Sequence, residues 1–202
     1  MNLADKFTLL RIILAPVFFL VYFLPGFLPP SLPAYFTEGM AWTVAPLWII
    51  AVLAEFTDMF DGMAARRLNQ TSDFGRLFDP FADTIMQITA FLCFVIDGIF
   101  PALLFLVVLY REFGILFIRN LMLKKGVAMG ARISGKIKTF TYITAAATAL
   151  FYVSLQRLGA AESLQPAVKI AAIAVFGISV FFSVVSFFDY FSVYRAFGKT
   201  EA

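Results

Sequence analysis

The sequence predicts an all-α integral membrane protein, with six transmembrane helices and a short amino-terminal juxtamembrane amphipathic segment. Three observations carry that prediction. Of 202 residues, 61% are hydrophobic and 14% charged, with a mean hydropathy of +0.88; soluble domains run nearer half apolar and a quarter charged. Several apolar stretches approach or exceed the ~20 residues that a helix needs to cross hydrocarbon. Laid out as spans, these stretches leave positive charge almost wholly on one side.

The elements follow in order. The opening MNLADKFTLLRIILAPVFFL has no small-residue cleavage site after its apolar run. It is read as a retained first helix over 7–24, preceded by the juxtamembrane segment. The Pro-rich PGFLPPSLPAYFTEG ends it, because proline lacks an amide hydrogen and clashes with the preceding turn. A second helix covers 41–68 and carries Glu55, Asp58 and Asp61 toward its end. The third covers 75–96, with Asp97-Gly98 as the turn. The fourth runs from near Pro101 to Lys124, the fifth over 136–155 and the sixth over 166–194. With no internal repeat or linker, residues 1–202 read as one domain.

With the amino terminus inside, thirteen of the 16 Lys and Arg residues fall on the inner side, and only Arg157 and Lys169 on the outer. Arg111 lies within the fourth helix. That asymmetry predicts an even number of spans in a cytoplasmic or inner membrane, both termini inside, and the acidic second-to-third helix region facing the cytoplasm. One cysteine, Cys93, cannot make an internal disulfide. The chain has no histidine, which excludes a histidine base, a Ser-His-Asp triad and His-ligated zinc. Nothing in the sequence points to a nucleic-acid partner.

The chemistry concentrates in Asp58, Asp61, Gly62, Ala65, Arg66, Gly75, Asp79 and Asp83. Asp58 and Asp61 are three apart on one helix, and Asp79 and Asp83 four apart on the next, so each pair shares a helix face. Asp58 lies roughly 15 Å from the end of its helix at ~1.5 Å per residue. At such depth an unpaired carboxylate costs ~2.5–3.5 kcal/mol on insertion scales. Four adjacent acids therefore need proton sharing or bound cations. All-oxygen donors suit hard ions such as Mg²⁺ or Mn²⁺, and four aspartates can hold two ions ~4 Å apart, a clamp for displacement at phosphorus. Gly62 and Ala65 leave space beside the carboxylates for a flat base or a diphosphate.

The pattern D-x2-D-G-x2-A-R-x8-G-x3-D-x3-D resembles the signature of the CDP-alcohol phosphotransferase family, with every fixed position matched. The resemblance implies a homodimeric membrane enzyme that binds a CDP-linked lipid and two divalent metals, Mg²⁺ or Mn²⁺, at this motif. It makes Asp58, Asp61, Asp79 and Asp83 metal ligands, with Asp83 also the general base. It puts Gly62, Ala65, Arg66 and Gly75 around the nucleotide. Arg67 matches no role and is read as an inner-side charge.

The acceptor is read from a second set of residues. Arg111, Arg119, Arg132, Lys136 and Lys138 concentrate positive charge where inner helix ends converge, as a phosphate-bearing acceptor requires. Lys136 and Lys138, two apart, are not expected to face one direction on a helix. The Arg111-Glu112-Phe113 segment, the later Gly135-Lys136-x-Lys138-Thr139 and the early Thr8-Leu-Leu-Arg11 are similar to the phosphatidylglycerophosphate synthase branch of the family. Ala4-Asp5, where many members have Pro-Asn, and the long Pro-rich connection depart from it. That branch implies CDP-diacylglycerol as donor and sn-glycerol 3-phosphate as acceptor. Rivals are the same chemistry on inositol phosphate or serine, and a metal or proton transporter using the carboxylates; no acidic path leads to the other face.

Overall fold

A bilayer offers no water to backbone amides, so each long apolar run closes its own hydrogen bonds as helix. The computed structural model describes residues 3–28, 40–68, 73–127 and 132–200, with the side chains of 6–28, 40–57, 78–127 and 132–197. Among them are six α-helices: α1 Leu3–Phe27, α2 Val44–Leu68, α3 Asp73–Ile96, α4 Ala102–Lys124, α5 Ile133–Arg157 and α6 Gln165–Thr200. A single 3₁₀ turn, Ala41–Thr43, leads into α2.

The helix order matches the sequence reading, and the boundaries differ most at the two ends of the chain. Helix α1 runs unbroken from Leu3, so no separate juxtamembrane segment precedes it among the described residues. Leu3, Ala4 and Lys6 are good helix formers, and nothing there interrupts the first span. Both Pro16 and Pro25 lie inside this helix, which passes Pro25 before ending. At the other end α6 continues to Thr200. The Asp97-Gly98 turn forms as expected, with Gly98 at φ 66°, a conformation that glycine adopts without a Cβ penalty.

Among the described residues, three helical stretches are long and apolar enough to cross a membrane: Lys6–Phe27, Phe78–Ile96 and Gln165–Phe197, with Ala41–Thr57 a shorter apolar helix. Helix α4 is interrupted in composition by Arg111, Glu112 and Arg119, and α5 by its threonines, tyrosines and lysines. Exposed Ile13, Leu20, Phe117, Phe140, Ile170 and Phe181 spread apolar surface around the outside. So wide an apolar exterior suits lipid as solvent.

The helices pack as two groups of three. Helix α1 lies against α2 and α3, while α6 lies against α4 and α5. An aromatic cluster joins the groups: Phe91 of α3 meets Tyr142 of α5 at 5.2 Å and Phe176 of α6 at 5.2 Å, and Phe100 stacks on Phe176 at 3.9 Å. Edge-to-face and stacked rings each add ~0.5–1.5 kcal/mol beyond area burial.

Alternating helix directions are fixed by polar contacts at one end of the bundle. Arg157 at the end of α5 donates to Thr43 Oγ1 at 2.5 Å and to the Tyr22 carbonyl of α1 at 2.9 Å. The Tyr22 hydroxyl donates to Asp97, just beyond α3, at 2.6 Å. The ends of α1, α3 and α5 thus meet the start of α2. Their other ends, with the cluster of basic residues, lie together at the opposite end.

Helices α4 and α6 approach closely at Gly114, where an added Cβ would lie 2.9 Å from the Phe187 ring. Gly114→Val is therefore expected to destabilise the protein by about 1–3 kcal/mol, the usual cost of overpacking. Gly177→Ala, with nothing within 4 Å of the new methyl, is the matched control. Thermal unfolding in detergent micelles should separate the two, and equal midpoints would contradict the close contact.

Candidate functional site

A cavity of about 500 Å³ opens between the two helix groups, and every one of the six helices contributes to its wall. Arg11 comes from α1, Glu55 from α2, Asp83 from α3, Arg119 from α4, Lys136 from α5 and Tyr190 from α6. The cavity collects the basic-rich ends of the helices. Charge that would be costly facing lipid is turned inward.

Helices α1 and α3 meet in matched register along this wall. Thr8 Oγ1 donates to Asp79, and Arg11 donates to and ion-pairs with Asp83. Thr8 and Arg11 are three apart on one helix, Asp79 and Asp83 four apart on the other, so a single pair of faces makes both contacts. Both α1 residues are 1% exposed, so these contacts are made inside the bundle. Asp83 is half-buried and reaches the cavity.

Two predicted cations of the opposite wall share one carboxylate. Arg111 Nη1 lies 2.8 Å and Lys138 Nζ 2.9 Å from Glu112 Oε1. Arg111 also donates from Nε to the Ser183 carbonyl and from Nη2 to Ser186 Oγ, both at 3.0 Å. Lys138 lies 4.3 Å from the Tyr142 ring centroid and within 3.4 Å of Gln87. Arg111, Glu112 and Lys138 are all buried. Isolated charges there would be very unfavourable; paired and hydrogen-bonded, they are tolerated.

The remaining basic residues differ in how far they are engaged. Arg132, at the start of α5, donates to Asp189 of α6 at 2.6 Å, and Ser134 donates to the same carboxylate oxygen at 2.5 Å. Among the described residues, the polar contacts of Arg119 go to Tyr190 alone, through Nη2 at 3.2 Å and across the ring face at 5.3 Å. Its Nε is buried with no acceptor among the described residues. Lys136 is exposed at the cavity edge and has no ion-pair partner among them.

The structure thus brings Asp83, Arg111, Arg119, Arg132, Lys136 and Lys138 to one cavity. Lys136 and Lys138 face different ways, as their spacing predicts, one exposed and one buried, and both still line the cavity because it opens at the first turns of α5. Arg111 reaches the wall with each of its three nitrogens already donating. Asp58, Asp61, Gly62, Ala65 and Arg66 fall on α2, and Gly75 on α3, but their side chains lie outside the described residues. Among the described residues no three His, Cys, Asp or Glu side chains group as a metal site, Asp79 and Asp83 being the described half of the expected four.

Sequence reasoning named Glu112 as a partner open to Arg111, and the pair forms; it missed Tyr190 as part of this wall and Thr8 and Asp189 as partners of Asp79 and Arg132, and it counted Arg11 as an inner-side charge. The signal for Arg11 was its position one turn inside an otherwise apolar run. For Tyr190 there was none, since an aromatic in an apolar helix reads as core.

A second, apolar hollow of about 370 Å³ adjoins the first, sharing Ala54, Glu55, Met86, Gln87 and Ile143 of its wall. Phe18, Trp48, Phe91 and Leu150 line the rest. A polar chamber and an apolar one therefore meet at a single boundary.

Comparison with known proteins places the chain among its relatives. A family model described as CDP-alcohol phosphatidyltransferase matches residues 1–185. The CDP-diacylglycerol–glycerol-3-phosphate 3-phosphatidyltransferase of Treponema pallidum is 34% identical, covering 100% of this chain and 95% of its own. The protein of the same name from Bacillus subtilis is 32% identical over 95% of this chain and 94% of its own. That from Escherichia coli is 29% identical over 96% of each.

Removing Glu112 leaves two buried cations without their shared counter-charge. Glu112→Ala is expected to cost about 3–5 kcal/mol of stability, as breaking buried ion pairs does. Thermal unfolding of the purified protein checks it; an unchanged midpoint would mean that water or another acid neutralises Arg111 and Lys138.

Proposed function

The chain belongs to the CDP-alcohol phosphatidyltransferase family, and from that premise we propose that it transfers the phosphatidyl group of CDP-diacylglycerol to sn-glycerol 3-phosphate, giving phosphatidylglycerophosphate and CMP. The observation that carries the acceptor is the cavity that Asp83 lines together with Arg119 and Lys136. An acid beside under-engaged cations suits a substrate that offers a hydroxyl at one end and a phosphate at the other. The names of the full-length relatives support the same pair of substrates.

In this reading the acceptor phosphate is held by Arg119 and Lys136, with Arg132 at the rim. Arg111 and Lys138 act through the field that they and Glu112 set up. The acceptor hydroxyl oxygen attacks the lipid-linked phosphorus, the bond from that phosphorus to the CMP oxygen breaks, and CMP leaves with the electron pair. Asp83 takes the hydroxyl proton. Arg66, Gly62, Ala65 and Gly75 surround the nucleotide. The acyl chains leave through the apolar hollow that adjoins the cavity, across the boundary at Glu55 and Gln87.

The donor set fits the divalent metals that the family signature implies, because Asp79 and Asp83 offer hard oxygens on one helix face. Held by Asp58, Asp61, Asp79 and Asp83, two Mg²⁺ or Mn²⁺ ions would neutralise the diphosphate and acidify the attacking hydroxyl. The protein's own part is to hold Asp83 through Arg11 and to keep the acceptor phosphate at the far wall.

The reading extends to the whole chain as one domain of six membrane-crossing helices. The alternation of helix ends supports six crossings, and the pairing of Arg111 with Glu112 explains how α4 can cross despite its charges. Excess positive charge at the cavity end supports a cytoplasmic site with both termini inside, in a cytoplasmic or inner membrane. The resemblance to the family extends the proposal to a homodimer.

The test is CMP release by purified protein from CDP-diacylglycerol with Mg²⁺ or Mn²⁺, comparing glycerol 3-phosphate, inositol phosphate and serine. Release with glycerol 3-phosphate alone is expected; release only with another alcohol would overturn the acceptor. Chelation with EDTA should abolish release, and added metal should restore it. Asp83→Asn should lower kcat by about 10²-fold or more while CDP-diacylglycerol still binds, the range typical of a general base. Near-normal turnover in that variant would remove Asp83 from the proton's path.

A further inference from the structure

Tyr190 is 2% exposed on the last turns of α6, yet it borders the polar cavity. Its hydroxyl accepts from Arg119 Nη2 at 3.2 Å, and its ring lies 5.3 Å from the centre of the same guanidinium. The hydroxyl is also pressed against the start of α5: a Cβ on Gly135 would lie 3.3 Å from it. One residue earlier, Asp189 ties down Arg132 and Ser134 on that turn. Tyr190 is therefore fixed from two sides, while the Arg119 guanidinium rests on it.

Arginine is long and rotamer-rich, so holding its planar fork in place reduces the ordering cost of each bond to an anion. Arg119 has Nε buried without an acceptor among the described residues. A cation whose other hydrogen bond goes to a neutral phenol keeps its charge for a ligand. Arg111 and Arg132, paired with carboxylates, do not.

We propose that Tyr190 is a positioning residue for the acceptor phosphate, holding Arg119 toward the cavity, and that Gly135 is required so that the Tyr190 hydroxyl can sit there. The proposal rests on the reading that the cavity takes a phosphorylated acceptor. It adds the two residues that pre-organise the anion site and assigns the glycine of the Gly135-Lys136-x-Lys138-Thr139 segment a steric role.

The experiment is steady-state kinetics of the full chain in detergent, varying glycerol 3-phosphate and CDP-diacylglycerol separately, with inorganic phosphate as a competitive probe. Arg119→Ala is expected to raise the acceptor KM by about 10- to 100-fold, the worth of a hydrogen bond to a charged group. Tyr190→Phe should raise the acceptor KM and the phosphate inhibition constant about fivefold, the worth of one net neutral hydrogen bond. Its kcat, donor KM and unfolding midpoint should stay near those of the parent. In the Arg119→Ala background Tyr190→Phe should add nothing further. Gly135→Ala should raise the acceptor KM in the parent but not in Tyr190→Phe, where the next ring atoms stand 3.7 Å and 4.0 Å away.

Two failures are distinct. If Arg119→Ala leaves the acceptor KM and phosphate inhibition unchanged, the phosphate-site reading fails, and the proposal falls with it. If Arg119→Ala weakens both while Tyr190→Phe changes neither, or adds its full effect in the Arg119→Ala background, positioning by Tyr190 alone is overturned. Equal losses in kcat, both KM values and stability would assign Tyr190 to packing and overturn it too.

Discussion

Glu112 is the charge on which one half of the bundle depends. It is 3% exposed and is shared by Arg111 of its own helix and Lys138 of α5. Arg111 in turn reaches Ser183 and Ser186 of α6, and Tyr142 of α5 donates to Ser183 at 2.7 Å. Three helices are thereby registered by one network in which every member has a partner. In lipid there is little hydrophobic drive between helices, so small residues and such polar contacts decide how they associate. Ser179, Ser183 and Ser186, all fully buried, supply the small and polar face that α6 needs for this.

The other half is organised by the same rule with opposite charges. The acids of α3 are met by Thr8 and Arg11 of α1, so a carboxylate site is built against a helix that carries its counter-charge. The two halves then face each other across the cavity, one wall bearing Asp83 and the other Arg119 and Lys136. At the far end Arg157, Tyr22 and Asp97 hold the helix ends together, away from any proposed chemistry. The proposed proton acceptor and the proposed phosphate holders thus belong to separate packing units. The space between them is set by the aromatic contacts of Phe91, Tyr142, Phe100 and Phe176.

How much of this the sequence contained depends on the range of each interaction. Helix order, the Asp97-Gly98 turn and the spacing of the aspartates are local: periodicity, proline, glycine and the 3.6-residue turn express them directly. The five basic residues were also legible, because excess positive charge marks one membrane face whatever the fold. What was not legible is the cross-helix register. Arg11 and Asp83 are 72 positions apart, and Arg119 and Tyr190 71 apart, and no pattern within a single helix encodes such pairs. The charges of α4 lower its hydropathy, yet Arg111 and Glu112 turn inward and pair with one another. The opposed directions of Lys136 and Lys138 were legible in their spacing; that both border one cavity, which opens at that helix's first turns, was not.

Counter-charge, more than charge, is what distinguishes the cations of this cavity. Arg11 belongs to Asp83, Arg111 and Lys138 to Glu112, and Arg132 to Asp189. A buried ion pair contributes little to binding a third partner, because its field is already largely cancelled at short range. Arg119 is held by a phenol, and Lys136 stands exposed at the edge with no paired acid among the described residues. An anion entering at the basic-rich end would therefore experience two uncancelled cations against a background of satisfied pairs. Five basic residues in the sequence reduce to two with charge to spare, and their separation from Asp83 across the cavity is what would let one small molecule engage both walls.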